Sequence, residues 1–262
     1  MSPALLATGI VVFLSHGLEA VTGFGCTALA LPFVTFLLGL PTAKFLLAIL
    51  AWILALYIAL SKFPKIAWRQ FFIILSFVGA GMPLGMYAFA TLPRGILIKL
   101  LGIFVIASSS LQLWKLLLAP ALAKRRGEAP VLVKEDAPRE GSRVRIAPVY
   151  FLLLFLGGIV HGAFASGGPL VVLYASRALP DKGAFRATLT LLWATLNTAL
   201  IVSFAQSGQF TPETWNLLLV MAPFLVAGIV AGELVHHRVD AVRFSKIVFS
   251  TLCATGWIML LV

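Results

Sequence analysis

His16-Gly17-Leu18-Glu19-Ala20-Val21-Thr22-Gly23-Phe24-Gly25-Cys26 interrupts an apolar run that resumes and continues to Leu38. After the midpoint, His161-Gly162-Ala163-Phe164-Ala165-Ser166-Gly167-Gly168-Pro169 interrupts another, which continues to Ala178. Each interruption is a glycine cluster in the middle of a hydrophobic segment, at the corresponding place in each half of the chain. In a polytopic membrane protein, paired broken helices point to a transport site near the bilayer midplane.

Composition sets that frame. The chain of 262 residues is 61% hydrophobic and 11% charged, where soluble domains carry about a quarter charged residues. Several runs reach the roughly 20 apolar residues a bilayer-spanning helix needs, and the alternating segments of a β-barrel are missing. The expected fold is therefore an all-α polytopic membrane protein. Residues Met1–Leu14 lack a basic leader and read as a retained first helix. Cys26 and Cys253 both lie in apolar sequence and form no metal or disulfide pattern. No cofactor is expected. The net charge of +11 sits between apolar segments, so membrane orientation and anionic lipid account for it, not nucleic acid.

The segments fall into two similar halves. Residues 1–118 form an N-terminal transmembrane repeat and 148–262 a C-terminal one. Residues 119–147, mixed in charge and containing proline, form a polar linker, which its Lys and Arg excess places in the cytoplasm. His16-Gly17 recurs as His161-Gly162, and Phe77–Gly85 (FVGAGMPLG) as Phe224–Gly232 (FLVAGIVAG). Trp68 falls on Trp215, Lys99 on Lys246, and Trp52 and Trp193 take similar places. Loop charge alternates in opposite phase in the two halves. The loop of Lys62, Lys65 and Arg69 is basic, while its counterpart 206–212 has no basic residue. Arg177, Lys182 and Arg186 face a counterpart with only Lys44, and Arg238 and Arg243 one with only Arg94. By the positive-inside rule, equivalent loops lie on opposite sides, as inverted repeats require. Each repeat is then a broken helix or re-entrant hairpin followed by three transmembrane helices. Both termini lie outside the cytoplasmic membrane.

The breaks suit an anion. Helix starts near Cys26 and Pro169 offer unpaired N–H groups carrying partial positive charge, and Gly23, Gly25, Gly167 and Gly168 let a ligand approach the backbone. Thr22, Thr27 and Ser166 add hydroxyls, and Phe24 and Pro169 complete the two tips. The competing reading is that the glycines serve helix packing. Gly81-x-x-x-Gly85 and Gly228-x-x-x-Gly232 are read as packing motifs. Glu19, the acidic residue close to a break, and His16 and His161 are candidates for proton coupling; the histidines, His161 above all, are also candidates to hydrogen-bond the substrate, with helix capping or interhelical bonding as the alternative. Asn197, Trp52 and Trp193 are candidates to wall a cavity, with core packing as the alternative for the tryptophans. Glu233 reads as interfacial, and Lys99 and Lys246 as snorkelling.

Thr22-Gly23-Phe24-Gly25, Ala165-Ser166-Gly167-Gly168-Pro169 and two four-part halves around a polar loop resemble the sulfite exporter TauE/SafE (TSUP) family over nearly the whole chain. Cys26 stands where a further glycine is common. The resemblance implies a transporter of sulfur-containing oxyanions: sulfite, sulfoacetate or another organosulfonate, or thiosulfate. Export is the expected direction. An inside-negative potential assists it by about 2.3 kcal/mol per charge per 100 mV. An anion channel using the same site is the alternative. An intramembrane enzyme is disfavoured, because neither H-E-x-x-H nor G-x-S-x-G occurs.

Overall fold

The computed structural model describes residues 2–22, 25–114, 147–179, 181–235 and 241–261, with the side chains of 21, 22, 235 and 241–248 left aside. Residues 119–146 of the linker, Gly23, Phe24 and Arg238 lie outside the described residues. Ten α-helices are described: α1 Pro3–Thr22, α2 Cys26–Leu38, α3 Leu40–Ser61, α4 Trp68–Thr91, α5 Arg94–Leu113, α6 Val149–Phe164, α7 Gly168–Ala178, α8 Lys182–Gln206, α9 Pro212–Val235 and α10 Ala241–Leu261. No strand occurs among the described residues. Six helices are long and apolar enough to cross a membrane: α1, α3, α4, α5, α8 and α9. The chain is a multi-pass α-helical membrane protein.

Prolines set many of the boundaries, because proline lacks the N–H that a helix interior needs. Pro41 lies in the first turn of α3, Pro64 in the short 3₁₀ turn before α4, Pro93 caps α5 and Pro212 opens α9. The exposed Trp68 and Trp215 stand at the starts of α4 and α9, where amphipathic rings suit an interface. Lys99 is exposed.

Contacts divide the chain into two units, each drawing on both halves: 1–92 with 144–236, and 93–143 with 237–262. In the first unit, α1 pairs with α9, α4 with α6, and α3 with α8. Glycines bring the paired backbones together. A Cβ on Gly81 or Gly85 would meet the carbonyl of Phe155 or Ile159, and one on Gly158 or Gly162 that of Val78 or Met82. On the other pair, Gly228 faces Phe13 O and Gly232 faces Gly17 O. Both GxxxG motifs are packing surfaces, and Gly17 and Gly162 belong to them.

The contacts also fix direction. Gly9, Phe13 and Gly17 meet Phe224, Gly228 and Gly232 in ascending order, so α1 and α9 run parallel; Val78 and Met82 meet Gly158 and Gly162, so α4 and α6 do too. The equivalent helices α3 and α8 run antiparallel. The Phe45 ring packs tilted against Phe204 at 5.4 Å while Trp52 Nε1 donates to Thr198 Oγ1 at 2.8 Å. In the second unit, α5 and α10 are again equivalent and antiparallel, with Gly102 against Gly256 and Ser110 Oγ 3.7 Å from Cys253 Sγ.

The second broken segment is a hairpin. Gly157 packs on Leu170 and Val171, Phe151 on Tyr174 at 5.7 Å, and the Arg177 guanidinium lies 4.5 Å over the Tyr150 ring. The start of α6 thus lies beside the end of α7. The arms are unequal in both broken segments, 20 and 13 residues in α1 and α2, 16 and 11 in α6 and α7.

Candidate functional site

A helix that stops inside an apolar layer leaves carbonyls and N–H groups that no lipid can satisfy. How the two breaks answer them defines the site. At the first, Gly25 has φ +103°, a left-handed backbone that glycine adopts without strain. It turns the chain into α2. The first N–H of α2, that of Cys26, donates to Glu19 Oε2 at 2.9 Å. Glu19 stands in the last turn of α1 and is 2% exposed. The α1 carbonyl of Ala20 accepts from the Arg186 guanidinium.

At the second break the turn is made by Ala165, at φ 53° and ψ 27°, which among the described residues is alone in holding a positive φ without being glycine. Its N–H closes the end of α6 on His161 O at 2.7 Å, a left-handed helix cap. The carbonyl of Gly162 accepts from Lys44 Nζ at 2.8 Å, and the same ammonium sits 3.7 Å from the centroid of the Phe89 ring. Lys44 is buried, and no carboxylate among the described residues pairs with it. Gly167 and Pro169 start α7, and no side chain caps it.

The two breaks therefore share one device with the halves exchanged. Lys44, at the start of α3 in the first half, answers the break of the second; Arg186, at the start of α8 in the second half, answers the break of the first. Cations at helix C-termini complement the dipole. The N-terminal sides differ, since α2 carries an acidic cap and α7 carries none.

One cavity lies between the tips. Glu19, Gly25, Thr27 and Ala28 line it from the first break, His161, Ala165, Ser166 and Gly168 from the second, and Ala51, Trp193 and Asn197 from α3 and α8. The His161 and Trp193 rings stack at 5.6 Å with 23° between their planes. Ser166 Oγ, both ring nitrogens of His161, Trp193 Nε1 and Asn197 Oδ1 are buried and make no hydrogen bond of full geometry, although the Asn197 side chain lies close enough to His161 to interact with it. All four residues are at most 5% exposed. Buried polar atoms are normally paired, at about 1–3 kcal/mol each when left unmade, so such a concentration gives this one cavity unmet hydrogen-bonding capacity. The hydroxyl and the indole N–H donate, a neutral imidazole offers one donor and one acceptor, and Asn197 Oδ1 accepts. The free space is ≈ 20 Å³, room for about one water.

Of the residues singled out from sequence, Glu19, Gly25, Thr27, His161, Ser166, Gly168, Trp193 and Asn197 line the cavity. Cys26 adjoins it through its N–H. Gly167 packs against Gly157 and His161, and Pro169 fills the first turn of α7. Trp52 bonds to Thr198 and does not line the cavity. Nor does His16, whose Nδ1 lies 2.9 Å from Val12 O and 3.2 Å from Ser15 Oγ. Glu233 is exposed and accepts from Tyr57 OH at 3.4 Å. Gly23, Phe24 and the Thr22 side chain lie outside the described residues. Sequence reading took Lys44 and Arg186 only as loop charges. The missed signal is that each stands inside a helix of mostly apolar sequence, where an ionisable residue is a functional candidate.

No curated protein and no solved structure matches the chain. A family model does, that of the sulfite exporter TauE/SafE, over residues 7–259. With the match running through both breaks and every described helix, the chain belongs to the sulfite exporter TauE/SafE family.

Proposed function

We propose that the protein is a secondary transporter that moves a sulfur-containing oxyanion, such as sulfite, an organosulfonate or thiosulfate, outward across the cytoplasmic membrane, holding it between the two helix breaks. The observation that carries this reading is the cavity where Ser166, His161, Trp193 and Asn197 present unpaired polar atoms beside the uncapped start of α7. A pyramidal or tetrahedral oxyanion accepts at once from the Ser166 hydroxyl, the Trp193 indole N–H and an imidazole N–H of His161, while Asn197 Oδ1 can only accept. Lys44 lies within electrostatic reach of His161 and supplies positive charge on that side.

The antiparallel course of the equivalent helices α3 and α8 supports inverted repeats, for a two-fold axis reverses only helices it crosses at right angles. The tightness of the cavity favours alternating access over a channel. An oxyanion of four or more heavy atoms needs more than one water's room, so the tips must part to admit it. The test is flux into proteoliposomes with sulfite and thiosulfate. Saturable, gradient-driven uptake that falls at least tenfold in Ser166→Ala/Trp193→Phe supports the proposal; large uncoupled anion currents sink alternating access in favour of a channel.

A further inference from the structure

The first break already holds a carboxyl group, and it belongs to the protein. Glu19 Oε2 accepts the first N–H of α2 at 2.9 Å, which is where a bound oxyanion would sit on a helix start. No lysine or arginine among the described residues forms an ion pair with this carboxylate, and it is 2% exposed. It lines the same cavity as Ser166, His161, Trp193 and Asn197, whose polar atoms are unpaired. The opposite helix start, at α7, has no such cap. In the repeat the place of Glu19 is taken by an apolar residue, within Ala163-Phe164-Ala165. The pseudo-symmetric pair of anion sites is thus filled on one side by a tethered carboxylate and open on the other.

Building on the proposed anion site, we infer that Glu19 is a built-in competitor for the transported anion, and that the anion binds together with a proton that neutralises this carboxylate. Two negative charges held side by side among buried residues repel at short range, with little solvent to screen them. The balance is simple: the ionised carboxylate, one proton and one free anion become a carboxylic acid beside a bound anion. For a monoanion the charge of the site is the same before and after. The neutral acid can turn its O–H toward the guest and add a donor, while Cys26 N–H is released to the anion. The groups facing Glu19 are consistent with this exchange. On α2 they are the Cys26 N–H, the Cys26 thiol, which is also in hydrogen-bonding reach of the carboxyl, and Thr27; on α6, His161; on α8, Trp193 and Asn197, with Arg186 engaged by Ala20 O and within reach of Glu233. From α1, His16 is turned to Val12, and from α3, Lys44 is held by Gly162 O. None of these cations is committed to the Glu19 carboxylate.

The test uses calorimetric titration of the purified full-length protein with thiosulfate and ethanesulfonate, whose charges stay constant between pH 5 and 8. Buffers of different ionisation enthalpy report protons taken up on binding. The expected result is about one proton per anion in wild type, with affinity falling about tenfold per pH unit once Glu19 is ionised in the free protein. Glu19→Gln keeps an oxygen to accept from Cys26 and carries no charge. It should bind at least as tightly as wild type, with no proton taken up and a flat pH profile. Binding by wild type with no proton uptake and a flat affinity at every pH from 5 to 8 overturns the inference and leaves the anion site standing, and this needs no variant. An unchanged proton count in Glu19→Gln overturns it too. Failure of both proteins to bind either anion or sulfite overturns the anion site itself.

Discussion

Three glycines of the two breaks look alike in sequence, yet they have three different reasons to be glycine. Gly25 is constrained by backbone, with φ +103° and nothing within 4 Å of an added Cβ. Gly167 is constrained by packing, because a Cβ there would run into the carbonyl of Gly157 and come 2.9 Å from His161 Cβ. Gly168 is constrained by neither, since its Cβ would meet only Trp193 Cζ2 at 4.0 Å, at the cavity wall. Alanine should separate the three. Gly25→Ala and Gly167→Ala should each lose about 1–3 kcal/mol of stability. Gly168→Ala should unfold like wild type while losing anion affinity about tenfold, because its methyl takes space the guest needs. Thermal unfolding in detergent alongside thiosulfate titration checks all three; a destabilised Gly168→Ala would contradict its place at an open wall. The sequence made the glycines visible because a break in an apolar helix requires them. It also singled out Glu19. It could not reveal that Glu19 caps α2, nor that Lys44 reaches Gly162, a partner 118 residues away, because a side chain's own neighbours do not encode what folds against it.

Helix existence and helix pairing were unequally legible for a similar reason. Pro41, Pro93 and Pro212 punctuate the chain through local backbone chemistry, and the helices start where they say. Pairing rests instead on small residues matched across helices distant in sequence. The Gly81–Gly85 motif and the Gly158–Gly162 spacing of α6 each announce a packing surface, but neither says that the other is its partner. The close approach of α4 and α6 is what aims His161 into the cavity, because the helix that bears it is seated on these glycines. Gly85→Ala would place its Cβ on the Ile159 carbonyl, and a backbone atom cannot swing aside as a side-chain tip can. A loss of about 1–3 kcal/mol is expected. Gly79→Ala on the same helix has nothing within 4 Å and should leave stability unchanged or raise it by about 0.5–1 kcal/mol, the ordinary helical preference for alanine. Melting temperatures of the two variants in one detergent decide the matter, and equal values would remove the glycine contact as the seat of α6.

At the scale of the whole first unit, two independent lines of reasoning meet at one end of the helices. Charge alone assigned the Lys62–Arg69 loop and the Arg177–Arg186 loop to the cytoplasm, although they belong to different halves. In the structure these loops are neighbours. A Cβ on Gly183 would lie 3.0 Å from Lys65 Cδ, Ala67 N donates to Thr188 Oγ1 at 2.9 Å, and Tyr174 OH donates to Gln70 Oε1 at 2.8 Å. The start of α6, which follows the basic linker, lies at this end as well, with Tyr150 under Arg177. Since α3 and α8 are antiparallel, the end of α8 at Ser207 lies at the far end, and so does the end of α4 at Thr91. Within this unit, sidedness then follows for each of these described loops once it is known for one. With Cys26 and Cys253 replaced, single cysteines at Lys62 and Lys182 should resist a membrane-impermeant thiol reagent applied to intact cells and react after permeabilisation. Single cysteines at Thr91 and Ser207 should react from outside. Labelling of Lys62→Cys and Ser207→Cys from the same side would break the inverted arrangement. With it would go the reason for expecting two mirror-related hairpins to bring their tips to one anion.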